Sequence, residues 1–329
     1  MMKKWKEQRV NIILGSFLGI LILLMLLATI CDHSKVSYDH LQKVEPDSVE
    51  KLADGGSVVE LTIDKSVKKC TTVAFCTPHQ YVDVYVDGRD VYSLKETAGR
   101  WGHTTGHVWN FVLLPVNTTH LTVKLSPCYP ETANALLTYY VGNGREICMG
   151  LMRQSLPTFI ISFIILIVGI YMLGYWLLVC KSEAVDATLL YLGLFSVILG
   201  LWTANETDFA KLLLVNQHAT TFAAYILLMA MPIPFVLFVR SFLDFDDKNI
   251  WRVFCGFSMV MCVISCVLHF TGIWELRQSL ILTHIVIVGL LIYLMRAIVF
   301  KFVKRQVGRR LRTCIAALIL VILASIADL

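Results

Sequence analysis

Aromatic and imidazole side chains are concentrated in one segment of the chain, GRWGHTTGHVW, which runs from Gly99 to Trp109. Aromatic faces can stack on sugars or other flat ligands, and the glycines favour a loop that presents such faces. The alternative is that Trp109 and Phe111 alternate into a protein core, which the sequence favours for Trp109 and leaves open for Trp101. We predict a ligand-binding loop whose candidate contacts are Trp101, His103, His107 and Tyr85.

The same residues do not indicate metal binding or catalysis. His103 and His107 have the spacing of a metal-binding pair only in a helix, and the neighbouring glycines argue against a helix. The chain contains no H-E-x-x-H, G-x-S-x-G, G-x-x-x-x-G-K-[ST] or G-x-G-x-x-G pattern and no C-x-x-C pair. We therefore expect no catalytic residue, no metal site and no cofactor in this chain.

The elements that must position the loop are β-strands. Between Ser57 and Val141 the apolar residues alternate with period two, which predicts strands at 57–63, 70–77, 81–86, 91–94, 107–114, 121–126 and 136–141. In YVDVYVDGRDVYSL, Asp87 and Gly88 separate two such runs and predict a tight hairpin. Short, closely spaced strands are typical of a β-sandwich, which we expect to occupy residues 32–155.

Ten cysteines are scattered along the chain, and Cys70, Cys76, Cys128 and Cys148 fall within this domain. In one straight strand, Cys70 and Cys76 would lie about 20 Å apart, too far for a disulfide. A Cys76–Cys128 disulfide between neighbouring strands is conceivable, and buried free thiols are the simpler expectation.

Seven apolar stretches make the chain a membrane protein. Each has about 17 to 25 residues, the length that a helix needs to cross a bilayer, and 57% of the chain is hydrophobic. The first is longer than the apolar part of a signal peptide, so we interpret residues 1–31 as a cytoplasmic N-terminus and an uncleaved anchor. Residues 156–329 would form a helical bundle. The predicted spans are 10–30, 156–180, 187–204, 218–239, 253–270, 279–300 and 313–329.

The basic residues predict the orientation of these spans. Fourteen lysines and arginines fall on the side of the N-terminus and two on the other side, if the long 31–155 segment is left out. By the positive-inside rule, the N-terminus is cytoplasmic and residues 32–155 are extracytoplasmic in a multi-pass protein of the cell membrane. The basic run KFVKRQVGRRLR is explained by this topology and by contact with the lipid bilayer, so we expect no nucleic-acid partner.

Polar groups inside the predicted bundle are few. Ionisable residues deep in the membrane would indicate a transport path, and their scarcity argues against a transporter. His284 is the best intramembrane candidate, and a hydrogen-bonded packing role is the favoured alternative for it. Pro232 and Pro234 predict a kink or a local unwinding of the fourth span, which could act as a hinge.

Three residue runs carry a resemblance to a known family. The runs HQYVDVYVDGRDVYS, VWNFVLLP and YLGLFSVILGLWTANET, in the order anchor, sandwich and bundle, resemble the bacterial seven-transmembrane receptors with diverse intracellular signalling modules. More narrowly, they resemble the Firmicutes members that end in a GGDEF diguanylate cyclase. The resemblance implies that Tyr191 to Thr207 form the second bundle helix and its outer end, with Trp202, Asn205 and Glu206 most like the family's pattern. It also implies a seventh bundle helix and an output module after Leu329.

We therefore expect a signal-transduction receptor. The sandwich would sense an unknown extracytoplasmic ligand, and the bundle would relay the change to a cytoplasmic output, expected to be a GGDEF diguanylate cyclase. The relay candidates are Trp202, Asn205, Glu206, Pro232, Pro234 and His284. The alternative is a multi-pass transporter or channel with an extracytoplasmic substrate-binding domain. Homodimer formation stays open.

Overall fold

The computed structural model of the chain describes residues 41–63, 72–95, 102–115, 118–180, 187–214, 217–243, 250–303 and 308. The chain divides into two compact units, Met1–Ile164 with Thr203–Phe222 and Ile165–Trp202 with Ala223–Leu329. The predicted spans 10–30 and 313–329 lie outside the described residues, as do Cys70 and Trp101.

The first unit contains a β-sandwich, which confirms the predicted fold. Its first sheet has the strand order β1-β9-β4-β7 and its second sheet the order β2-β3-β8-β5-β6. Neighbouring strands in both sheets are antiparallel. The strands are β1 Gln42–Val44, β2 Ser48–Lys51, β3 Ser57–Thr62, β4 Thr72–Pro78, β5 Gln80–Val86, β6 Arg89–Leu94, β7 His107–Leu113, β8 His120–Pro127 and β9 Tyr139–Gly142.

The β5–β6 hairpin forms as the sequence predicts. Asp87 and Gly88 have φ angles of 49° and 77°, the left-handed pair that a two-residue turn between twisted strands requires. In β5, the buried residues Val82, Val84 and Val86 alternate with less buried neighbours. The pairing of β5 with β6 then shifts by one residue between Val84 and Tyr85, so a β-bulge separates the turn from the rest of the hairpin.

The core of the sandwich lies between the two sheets. Phe75 and Tyr139 are almost fully buried there, and their ring centroids are 5.2 Å apart. Each buried branched aliphatic side chain contributes about 1.5 to 3 kcal/mol relative to an exposed one. The apolar core contains Val59, Leu61, Ile63, Val73, Phe75, Val82, Val84, Val86, Val112, Leu121, Val123, Leu125, Tyr139 and Val141.

Seven α-helices among the described residues follow or border the sandwich. They are α1 Gly144–Val179, α2 Thr188–Glu206, α3 Asp208–Leu213, α4 Gln217–Ala230, α5 Pro232–Leu243, α6 Ile250–Phe270 and α7 Leu276–Val303. Within the described residues, four segments are long and apolar enough to cross a membrane: Gly144–Val179, Thr188–Glu206, His218–Phe242 and Ile250–Phe270. A shorter apolar stretch, Leu276–Leu290, lies in α7. The chain is thus a membrane protein with a helical bundle.

The span His218–Phe242 is interrupted, as its prolines predict. Helix α4 ends at Ala230, Met231 forms a turn, and α5 begins at Pro232. Proline suits the first position of a helix, where its missing N–H removes no intrahelical bond. The interruption therefore follows from the local sequence.

The second unit packs through close backbone approach and aromatic contacts. A Cβ atom added to Gly169 of α1 would lie 2.7 Å from the backbone nitrogen of Val197 in α2, so the two helices require glycine there. Helices α5, α6 and α7 share a buried cluster of Val236, Cys255, Leu290 and Tyr293.

Candidate functional site

Strand β7 presents its aromatic residues away from the sandwich core. Val108, Asn110 and Val112 point inward and are buried, whereas Trp109 and Phe111 lie on the opposite face. The expectation that Trp109 and Phe111 fill the sandwich core is therefore wrong. Asn110 takes an inward position because its side chain bonds to Thr77 Oγ1 and Tyr92 Oη, both at 2.9 Å.

The outward face of the first sheet is covered by helices of the same unit. Trp109 lies 6.1 Å from Tyr140 between ring centroids, and Phe209 of α3 lies 4.5 Å from Phe159 of α1. Helix α3 therefore contacts both the sheet and α1. We call this cluster the junction, and it comprises Ala74, Trp109, Phe111 and Tyr140 of the sheet, Ile147 and Leu151 of α1, and Asp208 and Leu212 of α3.

A hydrogen bond joins the sheet to α3 within the junction. Trp109 Nε1 donates to Asp208 Oδ1 at 2.9 Å, and both side chains are half-buried. A hydrogen bond to a charged group contributes about 1.5 to 3 kcal/mol. Asp208 is also the first residue of α3, where a negative charge interacts favourably with the helix N-terminus.

The Asp208 carboxylate acts on two neighbouring groups of the first sheet. Burial, and then the Asp208 charge, raise the pKa of the Cys76 thiol to about 12, although Lys211 acts in the opposite direction. Burial and then Asp208 also raise the pKa of Tyr140. The conceivable disulfide between Cys76 and Cys128 is not formed.

Three residues around Asp208 hold α3 in place. Thr207 Oγ1 accepts a hydrogen bond from Ala210 N and caps the helix. Glu206 forms an ion pair with Lys211 at 3.2 Å. Asn205 Nδ2 donates to the Thr220 carbonyl at 2.9 Å and so links the end of α2 to the start of α4.

The predicted binding loop packs against a buried histidine that the sequence did not single out. His79 has a left-handed φ of 53° and is 2% exposed. Its ring lies edge-on to His107 at 5.2 Å and to Tyr129 at 5.7 Å, and its Nδ1 is 2.5 Å from Thr104 Oγ1. The signal in the sequence was the Pro78-His79-Gln80 turn between two strands.

The structure brings only some of the predicted ligand-binding residues close together. His103 and His107 are exposed, and the His103 carbonyl accepts a hydrogen bond from Tyr81 Oη at 2.8 Å. Tyr85 lies four residues farther along β5, paired with Asp90, and is not part of this group. Trp101 lies outside the described residues. No group of three metal-ligating side chains occurs among the described residues.

Comparison with protein families identifies the membrane part. The sequence model of the family described as 7TM diverse intracellular signalling matches residues 156–329, more than half of the chain. The chain belongs to this family. It is thus a multi-pass transmembrane signalling receptor, whereas the transporter alternative has no support. No curated protein matches the chain.

The receptor's other predicted relay residues lie in its second unit. Trp202 is half-buried in α2, and Pro232 and Pro234 are buried at the start of α5. Among the described residues His284 is exposed on α7, and its role, in packing or in relay, stays a prediction. Asn205 and Glu206 belong to the first unit.

Proposed function

We propose that this receptor senses an extracytoplasmic ligand through its sandwich and transmits the change through the junction. The main support is the hydrogen bond from Trp109 Nε1 to Asp208 Oδ1. It connects a strand of the sandwich to α3, the short helix between the apolar segments α2 and α4.

The proposed ligand-binding loop is continuous with the junction. Residues 102–106 lead directly into β7, which begins at His107, and Trp109 is the third residue of that strand. A ligand that contacts His103 or His107 would act on the same strand that carries Trp109. Transmission requires two arrangements of this strand to which the ligand binds with different affinity.

We further propose the orientation and the output of the receptor. The distribution of basic residues supports a cytoplasmic N-terminus and an extracytoplasmic sandwich. The resemblance to Firmicutes receptors supports a GGDEF diguanylate cyclase as the cytoplasmic output. The partners that we propose are an extracytoplasmic ligand and the bilayer, and homodimer formation stays a prediction.

Hydrogen–deuterium exchange of the purified receptor in detergent tests the transmission. Trp109→Phe keeps the ring and removes the N–H donor, so exchange should rise in α3 and also in α5, beyond the residues that contact Trp109. Tyr85→Phe, an aromatic change on the second sheet, serves as the control and should leave both helices unchanged. A rise confined to β7 would contradict the proposal.

Two separate measurements test orientation and output. In a receptor without native thiols, a cysteine at position 118 should react with an impermeant reagent in intact cells, and one at position 308 should not. The reverse pattern would invert the topology. Expression of the full-length gene should raise cellular cyclic di-GMP, and an unchanged level would reject only the proposed output.

A further inference from the structure

Two arginines surround one indole ring in the second unit. The guanidinium carbon of Arg240, in the last turn of α5, lies 4.5 Å from the ring centroid of Trp251. That of Arg252 lies 5.6 Å from the same ring. Trp251 and Arg252 belong to the first turn of α6, so two helix ends supply the cluster.

The cluster contains donors without acceptors. Arg240 Nε and Trp251 Nε1 are shielded from solvent, and neither has a hydrogen-bond partner among the described residues. Glu275 is the only acidic residue of this unit that the structure describes, and it lies beyond the opposite end of α6. A buried donor without an acceptor costs about 1 to 3 kcal/mol.

The chemistry of these groups specifies an anion. Arginine and tryptophan side chains donate hydrogen bonds and accept none. The amides of the first turn of α6 also have no intrahelical acceptor, and the N-terminus of a helix attracts negative charge. A group with several negatively charged oxygens could accept hydrogen bonds from both guanidinium groups and from the first-turn amides of α6.

The position of the cluster specifies where the anion comes from. Arg240 lies two residues before the end of the apolar segment His218–Phe242, and Trp251 and Arg252 lie at the start of the segment Ile250–Phe270. Arginine and tryptophan at the ends of spans lie at the level of the lipid headgroups. We propose that Arg240, Trp251 and Arg252 bind the phosphate of an anionic membrane phospholipid.

Native mass spectrometry of the purified receptor with added phosphatidylglycerol or phosphatidylcholine tests the proposal. The receptor should prefer phosphatidylglycerol. Arg240→Gln should weaken this binding about fivefold, since one arginine near an anionic surface contributes about that factor. Trp251→Phe, which retains the ring and loses the donor, should weaken it less. Arg153→Gln removes the same charge from an exposed position of α1 and should have no effect.

Four outcomes would overturn the assignment. One is equal binding of phosphatidylglycerol by the Arg240 and Arg153 variants. Another is equally tight binding of inorganic phosphate, which would indicate a site for a free anion. A third outcome concerns Asp244, Asp246 and Asp247, which lie between α5 and α6 in the sequence. If changing these residues to Asn destabilises the receptor in phosphatidylcholine, their carboxylates and not a lipid phosphate accept the hydrogen bonds of the cluster. If Arg240→Gln does not fold, Arg252→Gln must show the weakened binding, and normal binding by that variant would equally reject the site.

Discussion

The sandwich and the helical bundle differ in the polarity of the side chains on their outward faces. In β5, the residues that alternate with the buried valines include Asp83 and Tyr85, which suit water. In α7, Ile281, Ile285 and Val288 are more than half exposed and wholly apolar. Because lipid rather than water surrounds a span, an apolar outward face costs nothing there. An exposed isoleucine therefore has a different meaning in the two regions.

The junction is the exception within the sandwich. Trp109, Phe111 and Tyr140 make the outward face of the first sheet apolar, and helices rather than lipid cover it. An apolar face next to water must be covered by other protein or bind a partner. The apolar outward side chains of the first sheet are therefore consistent with a face that helices cover.

The largest expected effect separates the sandwich core from the lipid-facing surface. Phe75→Ala should lower the free energy of unfolding of the sandwich by about 3 to 5 kcal/mol, because it leaves a cavity beside Tyr139. Ile285→Ala on α7 should cost far less, since its side chain is 58% exposed. Chemical denaturation of both variants in the same detergent measures the difference. Equal losses of unfolding free energy would mean that the sandwich core and the outward face of α7 do not differ as proposed.

The next effect concerns the hydrogen bond of the junction. Trp109→Phe and Asp208→Ala should each destabilise the first unit, and their double variant should cost less than the sum by about 1.5 kcal/mol, the contribution of a hydrogen bond to a charged group. A double-mutant cycle measured by thermal unfolding gives this coupling. Additive losses would mean that the 2.9 Å contact contributes nothing.

Two glycines of α1 extend the comparison into the bundle. Gly169→Ala should destabilise the bundle by about 1 to 3 kcal/mol, because the new Cβ would overlap the α2 backbone at Val197. Gly174→Ala meets no atom within 4 Å and should be neutral or slightly stabilising, since alanine favours a helix. Thermal unfolding compares the stability of the two variants, whose substituted glycines are five residues apart. Equal stability would show that the two helices do not approach closely.

The smallest effect at neutral pH comes from Cys76. Its pKa rises from 9.0 in the unfolded chain to about 12 in the folded one, so the folded state retains the proton longer. Stability should thus be unaffected below about pH 9 and fall between about pH 9 and 12. Cys76→Ala should reduce this alkaline loss, and Cys148→Ala, which retains Cys76, should not. Identical profiles for all three proteins would place Cys76 in a solvated environment.

Much of the fold follows from the sequence, and the exceptions have physical causes. The period-two runs predict seven of the strands, and the prolines predict the break at Met231. Strands β1 and β2 were missed because they are short and mostly exposed, so no apolar alternation marks them.

The candidate site was less predictable. In VWNFVL, Trp109 and Phe111 resemble core residues and Asn110 a surface residue, and the structure has the opposite arrangement. Its bonds to Tyr92 and Thr77, which lie 18 and 33 positions away in sequence, show that Asn110 can be buried. The match to the family then depends on the bundle and not on this strand.

The prolines at the start of α5 have a mechanical consequence. Pro232 and Pro234 have no amide hydrogen, so the carbonyls of Leu228 and Ala230 cannot receive the i to i−4 bonds of a continuous helix. A helical rod owes its bending stiffness to these bonds. The segment His218–Phe242 therefore lacks these bonds near Met231, and we expect a displacement at one end to reach the other end as a change in the angle between α4 and α5.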